Sequence, residues 1–493
     1  MKFLQKSIKM LSLLLFLMVI IIVIAACSDD TGSTDVQTSD PDTDVNDETE
    51  SVITTDGIVY EIPANIDFNG FDFRIITHDP STYVWNYITL DIESPTGDTL
   101  DDALYERNLA VEELLGINIE PRYEGFDIFT KINNDVASGS NDYDASLVRY
   151  MEIKNMLYNG SLVDLMTIDT IDLSQFWWEQ SSVENLSITN KLYMVDGYIG
   201  YGSMDDTWVM FFNKGLIENH MLDHPYDLVK NGKWTAEKVN EYMKVIALDI
   251  DGDGSYASSA AGDIMGLYTN TENFVGLTHS FGELLITKNS SDVPTLNIGT
   301  ENFNNVAEKI HTFMQQPYVS LGSDQKTISV FGDDKVLFMT EILKYMRDFR
   351  EMETDYGIVP LPKYDETSDT NKSYVALSCP MLVVMNNKTG DDLRRVGTIC
   401  EVLSAEGYRT MRPAYFNTSI EGKFARDPQT VDMINLIVSN RTFDIGVVLE
   451  IGNMRNGLVN TLNSDTLAFS AFVGSSSEMY DAEIQKAIDL LND

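Results

Sequence analysis

The stretch from Phe71 to Val148 constrains the fold most, because its apolar residues change period four times in under eighty positions. Phe71-Asp72-Phe73-Arg74-Ile75-Ile76-Thr77 alternates and reads as a strand. From about Leu100 to Leu115 the spacing becomes helical, with Leu100, Leu104, Leu109, Val111 and Leu115 as the apolar stripe, and Gly116 stops it. Ile117-Asn118-Ile119-Glu120 begins a second strand, Phe126 to Ala137 a second helix closed by Gly139, and Tyr143 to Val148 a third strand. Strand, helix, strand, helix, strand predicts a parallel α/β sheet. Ligands of such sheets collect beyond the carboxyl ends of the strands. That directs attention to His78–Asn86 and Arg149–Glu152.

A second α/β section begins at Trp208-Val209-Met210-Phe211-Phe212-Asn213-Lys214. Its predicted elements are a helix over Thr235–Leu248 capped by Thr235, a strand over Ile264–Tyr268 and a helix over Asn302–Met314. A strand over Val336–Met339 and a helix over Glu341–Glu353 follow. Tyr356 to Pro362 is a Pro-limited extended segment suited to a crossover between lobes. Beyond it lie the apolar Tyr374–Met385 region, a helix from Asp391 to Leu403 and a mostly helical remainder. No internal repeat is visible.

The N-terminus carries a different message. Lys2, Lys6 and Lys9 precede an apolar run from Met10 to Ala26, which ends abruptly at Ile24-Ala25-Ala26-Cys27 and then Ser28-Asp29-Asp30. A plain transmembrane anchor would need at least this much apolar length. The small residues before a cysteine favour a lipoprotein signal peptide over residues 1–26, with Cys27 as the lipidated N-terminus. Residues 28–50 hold nine acidic side chains and no Lys or Arg. A segment of that composition cannot bury enough apolar surface to fold, so residues 27–56 read as the lipidated cysteine and an acidic tether. The expected location is the extracellular face of the cell membrane, attached through the lipid.

With 77 acidic against 34 basic residues, the formal net charge is −43. Such a field repels phosphate backbones, so no nucleic-acid partner is expected. Hydrophobic residues make up 43% of the 493, enough for two lobes with separate cores. Beyond Cys27 the cysteines are Cys379 and Cys400, which read as either an extracellular disulfide or two buried thiols. Five scattered histidines give no Cys/His metal spacing.

Several segments, in order, resemble the extracellular solute-binding proteins of the maltose-binding type, the receptors of sugar ABC importers, and their Gram-positive lipoprotein branch above all. They are Glu106-Arg107-Asn108 with Glu112-Glu113, the Gly139–Asp144 turn, Gly160–Leu165, Trp177-Trp178 and Phe212-Asn213-Lys214. Pro225–Val229 leading to Gly232–Thr235, Tyr356–Tyr364 and Arg412–Phe416 complete the series. The resemblance implies a two-lobed periplasmic-binding-protein-like α/β fold, with a ligand cleft between lobes joined by crossing hinge segments. The expected division is 57–205 with 362–410 for the N-terminal lobe and 206–361 with 411–493 for the C-terminal lobe. It further implies a monomeric receptor that closes on a small polar ligand, a carbohydrate first of all, and hands it to the permease subunits of an ABC importer.

A sugar offers apolar C–H faces and a rim of hydroxyls, so its cleft needs aromatic platforms with carboxylates and amides as directional partners. Tyr150 follows the third strand, where the resembling family often places an aromatic platform, and Glu152 lies beside it. Tyr83 and Trp85 follow the first strand. Asp205, Asp206 and Trp208 match in position a cleft-lining segment of that family. Asn270, Glu272 and Asn273 follow the Ile264–Tyr268 strand, and Tyr345 follows Val336–Met339. Trp177-Trp178 reads as core or hinge support, because adjacent side chains point in different directions, and Trp234 as a staple at the start of its helix.

Asp249-x-Asp251-x-Asp253-Gly254-Ser255 has the spacing of an EF-hand-type calcium loop, in which alternate carboxylates converge around a glycine turn. The twelfth position is Ala260 rather than the bidentate Glu, so Asp263 would have to substitute. A structural calcium and a plain acidic turn both fit this pattern, and no other cofactor is required. Enzymatic alternatives gain little: acidic pairs arise by chance at this composition, and no nucleophile elbow, HExxH helix or phosphate loop is visible. An extracellular glycan hydrolase and a ligand sensor for a membrane signalling protein remain as rival readings. The receptor reading predicts no catalysis.

Overall fold

A computed structural model describes residues 49–53, 59–63, 66–82, 89–254, 256, 262–322, 330–331, 334–351, 353, 355–369, 371–420 and 428–492. Tyr83, Trp85, Ser255 and Cys27, and with them the signal peptide and most of the tether, lie outside these residues.

The first α/β section forms as the periodicity requires. β1 (Phe71–His78), β2 (Ile117–Glu124) and β3 (Ala145–Arg149) alternate with helices Thr99–Leu115 and Ile128–Ser138. Asp98 caps the first helix, accepting the Leu100 and Asp101 amides. Its buried face is Leu100, Ala103, Leu104, Arg107, Asn108, Val111 and Leu115, whereas Leu109 is exposed and does not belong to the stripe. β1 pairs in parallel with both β2 and β3.

In the second section, β4 (Trp208–Asn213) is buried at every position, as suits a strand covered on both faces. The other strands are β5 (Met265–Thr269), β6 (Val319–Leu321), β7 (Val336–Ile342) and β8 (Tyr356–Val359). They form a mixed sheet in the order β6-β5-β7-β4-β8, parallel among the first three and antiparallel about β4. Two short strands follow the sheet in sequence, β9 (Ser373–Tyr374) and β10 (Pro380–Val384), and later β11 (Arg441–Thr442). β10 returns to the first sheet antiparallel to β3, which gives the order β10-β3-β1-β2. β9 pairs in parallel with β11. The architecture is the two-lobed α/β fold that the sequence implies, with a long helix, Gly390–Ile420, packed on Thr99–Leu115.

Two element assignments need correction. No helix spans Glu341–Glu353. β7 runs on to Ile342 because Ile342 pairs with Trp208, and the Leu343 amide then donates to the Thr207 carbonyl at 2.8 Å. That bond carries the pairing one residue further, and the chain then turns through short 3-10 segments at Leu343–Met346 and Asp348–Glu351. Tyr356–Pro362 is extended but is not the crossover. Its first four residues are the edge strand β8, and Pro360 is held in the same lobe by the Trp234 indole N–H at 2.8 Å. The chain instead crosses at Val375–Cys379, alongside the outgoing Asp205–Trp208 segment. A bridge between Thr207 and Val375, and the Ala376 amide donating to the Asp206 carbonyl at 2.9 Å, tie the two strands of this hinge together.

Candidate functional site

A cleft of about 440 Å³ opens where the carboxyl ends of strands from both sheets face the two crossing segments. Its walls follow from the strand ends. On the first sheet, β3 ends at Arg149 and turns through Tyr150–Glu152, which puts Arg149 and Met151 on the wall. On the second, β5 delivers Asn270, Thr271 and Glu272, β6 delivers Gly322, and β7 delivers Glu341 and Ile342, with Tyr345 one turn on. The floor is Trp208 from one crossing segment and Ala376, Leu377 and Ser378 from the other.

The polar groups of this cleft are held in place by neighbours. The Asn270 amide donates to Glu341 Oε1 at 3.0 Å, and the Ile342 amide to Glu341 Oε2 at 3.2 Å. Glu272 accepts the Tyr374 hydroxyl at 2.7 Å and Arg455 Nε at 3.3 Å, and pairs with the same guanidinium through its other oxygen. Tyr374 belongs to β9 and Arg455 to the Met454–Leu462 helix, so one wall carboxylate ties three segments together. A Cβ at Gly322 would lie 1.7 Å from the Tyr268 hydroxyl, so a larger residue there would have to displace that ring.

Below the floor lies Asp206, 1% exposed. Ser378 Oγ donates to its Oδ1 at 2.8 Å, while Oδ2 has no partner among the described residues. Burial raises this carboxyl well above the usual carboxylate range, and the Ser378 bond only partly offsets it. Trp208 is likewise buried, and its indole N–H has no partner among the described residues. Glu152, under the opposite wall, behaves differently. Burial pushes its carboxyl up, but hydrogen bonds from His78 Nε2 (2.7 Å) and Arg149 outweigh that and leave it below its ordinary value.

The residues singled out from sequence divide sharply. Trp208 on the floor and Asn270, Glu272 and Tyr345 on the wall line the cleft. Asp206 and Glu152 sit one layer behind, each bonded to a lining residue, Ser378 of the floor and Arg149 of the wall. Tyr150 is turned away and has no exposed surface: the Asp444 amide donates to its hydroxyl at 2.9 Å, and that hydroxyl donates to the Asp444 carbonyl at 3.2 Å. A ring edge-on to Phe443 and joined to Asp444 is a strut between the Tyr150–Glu152 turn and the segment after β11, not a platform. Asp205 is spent on Arg347 and the Tyr415 hydroxyl (2.8 Å). Asn273 is buried within its helix, its amide nitrogen 3.5 Å from Met314 Sδ. Both tryptophans of Trp177-Trp178 are core: their indole N–H groups converge on the Glu401 carboxylate at 2.8 and 2.9 Å. Cys379 and Cys400 are free, buried thiols.

Sequence reasoning missed Glu341, Gly322 and Ser378. Running β7 to its true end would have found Glu341 by the strand-end rule, since it is a charged residue closing an apolar strand. Nothing local marks Gly322 or Ser378.

Chemically, the cleft offers a tryptophan and a tyrosine, four other apolar side chains, an amide, hydroxyls, two carboxylates and one guanidinium. Each wall carboxylate already accepts bonds from its own surroundings, which orients it as an acceptor for further donors.

Solved structures share this fold. A cyclic α-maltosyl-1,6-maltose binding protein from Arthrobacter globiformis matches with a TM-score of 0.56 at 11% identity, over 85% of this chain and 100% of its own. UgpB from Mycobacterium tuberculosis, solved with glycerophosphocholine, gives 0.54 at 12%, over 85% and 99%. An ABC substrate-binding protein from Listeria monocytogenes, solved with cycloalternan, gives 0.52 at 12%, over 84% and 99%. No family model matches the sequence, and no curated protein matches it.

Proposed function

Because the chain has the two-lobed fold of the maltose-binding-type solute-binding proteins, we propose that it captures a carbohydrate in the cleft by closing its lobes and passes it to an ABC importer. The observation that carries the reading is the cleft itself. Its floor is made of the crossing segments and its walls of strand ends from two sheets, so a bound ligand touches both lobes. Contacts completed only on closure favour the closed state by their differential free energy, and an importer can sense that state.

The wall chemistry favours a neutral, hydroxylated ligand. Asn270, Glu272, Glu341 and Ser378 supply directional partners for hydroxyls, while Trp208, Tyr345, Met151 and Leu377 supply apolar surface for ring faces. Two wall carboxylates against the one Arg149 guanidinium, in a chain of net charge −43, disfavour a ligand of net negative charge. Anchoring at Cys27 would hold the receptor at the outer face of the membrane, with the acidic segment as its tether; a Cys27→Ala variant is then expected to incorporate no labelled fatty acid, where the wild type does.

A thermal-shift screen tests the ligand class. Mono- and oligosaccharides are compared with glycerophosphocholine, and the supernatants are checked for cleavage products. A ligand that binds only the folded state raises the melting temperature with its concentration. We expect at least one oligosaccharide to do so and to be recovered intact. A melting temperature that no sugar moves, or turnover of the sugar, would refute the proposal.

A further inference from the structure

We propose that the loop after the Ala236–Ile246 helix, together with Asp263, forms a calcium site in the C-terminal lobe. The carboxylates of Asp249, Asp251 and Asp263 bring ligand oxygens within 4.8 Å of one another. Three like charges at that spacing repel unless a cation lies between them. Asp263 supplies an independent sign of a missing ligand. It is 1% exposed, its Oδ1 accepts the Ile250 amide at 2.8 Å, and its buried Oδ2 has no partner among the described residues. A buried carboxylate oxygen left without a donor is costly, and a cation is the partner that this position lacks.

The local chain explains how the cluster is assembled. Asp249 accepts the Gly252 amide at 2.7 Å and the Gly254 amide at 2.9 Å, which curls the loop back on its first carboxylate. Both glycines have positive φ, 72° and 83°, which L side chains rarely adopt. Leu248 and Ile264 then pair across the base of the loop by two 2.9 Å backbone bonds, and these set Asp263 beside Asp249. An all-oxygen set drawn from a flexible loop suits calcium, whereas magnesium demands near-ideal octahedral geometry and keeps most of its water. Asp253 is not among the converging carboxylates, so Asp263, and not the third acid of the sequence motif, completes the site. With no bidentate Glu, the affinity belongs to the weak extracellular class, on the order of 10⁻⁴ to 10⁻³ M.

Protein treated with EDTA and exchanged into metal-free buffer is titrated with calcium chloride by calorimetry and followed by thermal melting. We expect one calcium per chain and a rise of about 1–2 °C at ten times the dissociation constant. Magnesium chloride at equal concentration gives a smaller rise. Asp263→Asn and Asp251→Asn should each abolish the calcium response. Asp251 is exposed, so its variant folds even if that of buried Asp263 does not. Equal shifts with magnesium would mean simple screening of the acidic chain and would overturn the site. So would an absence of binding heat, or wild-type calcium affinity in Asp251→Asn.

Discussion

Replacing Glu401 by Gln should change how the stability of this protein depends on pH, in a direction and by an amount that its surroundings fix. Glu401 is 4% exposed and accepts indole N–H bonds from Trp177 and Trp178 and the Asp172 amide at 3.2 Å. Burial pushes its carboxyl up from 4.5 to about 7, against the pull of the two indole bonds. An acid whose folded pKa is raised holds its proton more tightly in the folded state. Its contribution is therefore complete below pH 4.5 and is lost as pH rises through 7. The full span is about 3.4 kcal/mol at 1.36 kcal/mol per pKa unit, and about 2.5 kcal/mol of it falls between pH 5 and pH 8. Gln cannot titrate, and its NH₂ must face one of the two indole N–H groups. That mismatch costs about 1–3 kcal/mol at any pH. Urea unfolding of both proteins at pH 5 and pH 8 reads the difference. The destabilisation caused by Glu401→Gln should be about 2.5 kcal/mol larger at pH 5 than at pH 8, with ligand affinity unchanged, since Glu401 does not line the cleft. An equal destabilisation at the two pH values would refute the assignment of a protonated carboxyl under the tryptophan pair.

Other outcomes follow from the same contacts. Trp208→Ala removes the aromatic floor of the cleft and should weaken carbohydrate binding about 10-fold or more, measured by calorimetry on the folded variant. Arg441 is buried and bonded to Ser203 Oγ at 2.7 Å, to Glu179 and to Asp196; Arg441→Met should cost about 3–5 kcal/mol in urea unfolding, because it strands buried carboxylates. Cys379 and Cys400 should react with a thiol reagent only after denaturation, and a reductant should leave the melting temperature unchanged.

Much of the fold could be read from periodicity. The first three strands and two helices, the Thr235 cap and the Glu301–Met314 helix fall within two or three residues of their predicted places. Errors arose where tertiary bonds override local pattern. Pairing of Ile342 with Trp208 and of Leu343 with Thr207 keeps the chain extended where a helix is predicted, and Pro360 is fixed by an indole that sits 126 positions earlier. The site was half legible for the same reason. The strand-end rule locates Asn270 and Glu272, because position along a parallel strand says which end faces the cleft. It cannot say which way a side chain turns at that end. Tyr150 rotates inward because Asp444, 294 residues away, offers both a donor and an acceptor. Ser378 comes to the floor only because Val375–Cys379 crosses beside Asp206, a long-range pairing without local signature.

Small-angle X-ray scattering of the purified protein, with and without the oligosaccharide giving the largest thermal shift, addresses lobe closure directly. Closing two α/β bodies on a sugar predicts a smaller radius of gyration at saturation, and a Glu341→Gln variant at the same sugar concentration should not contract. A saturating ligand that leaves the radius of gyration unchanged, or contraction undiminished in Glu341→Gln, would contradict capture in this cleft.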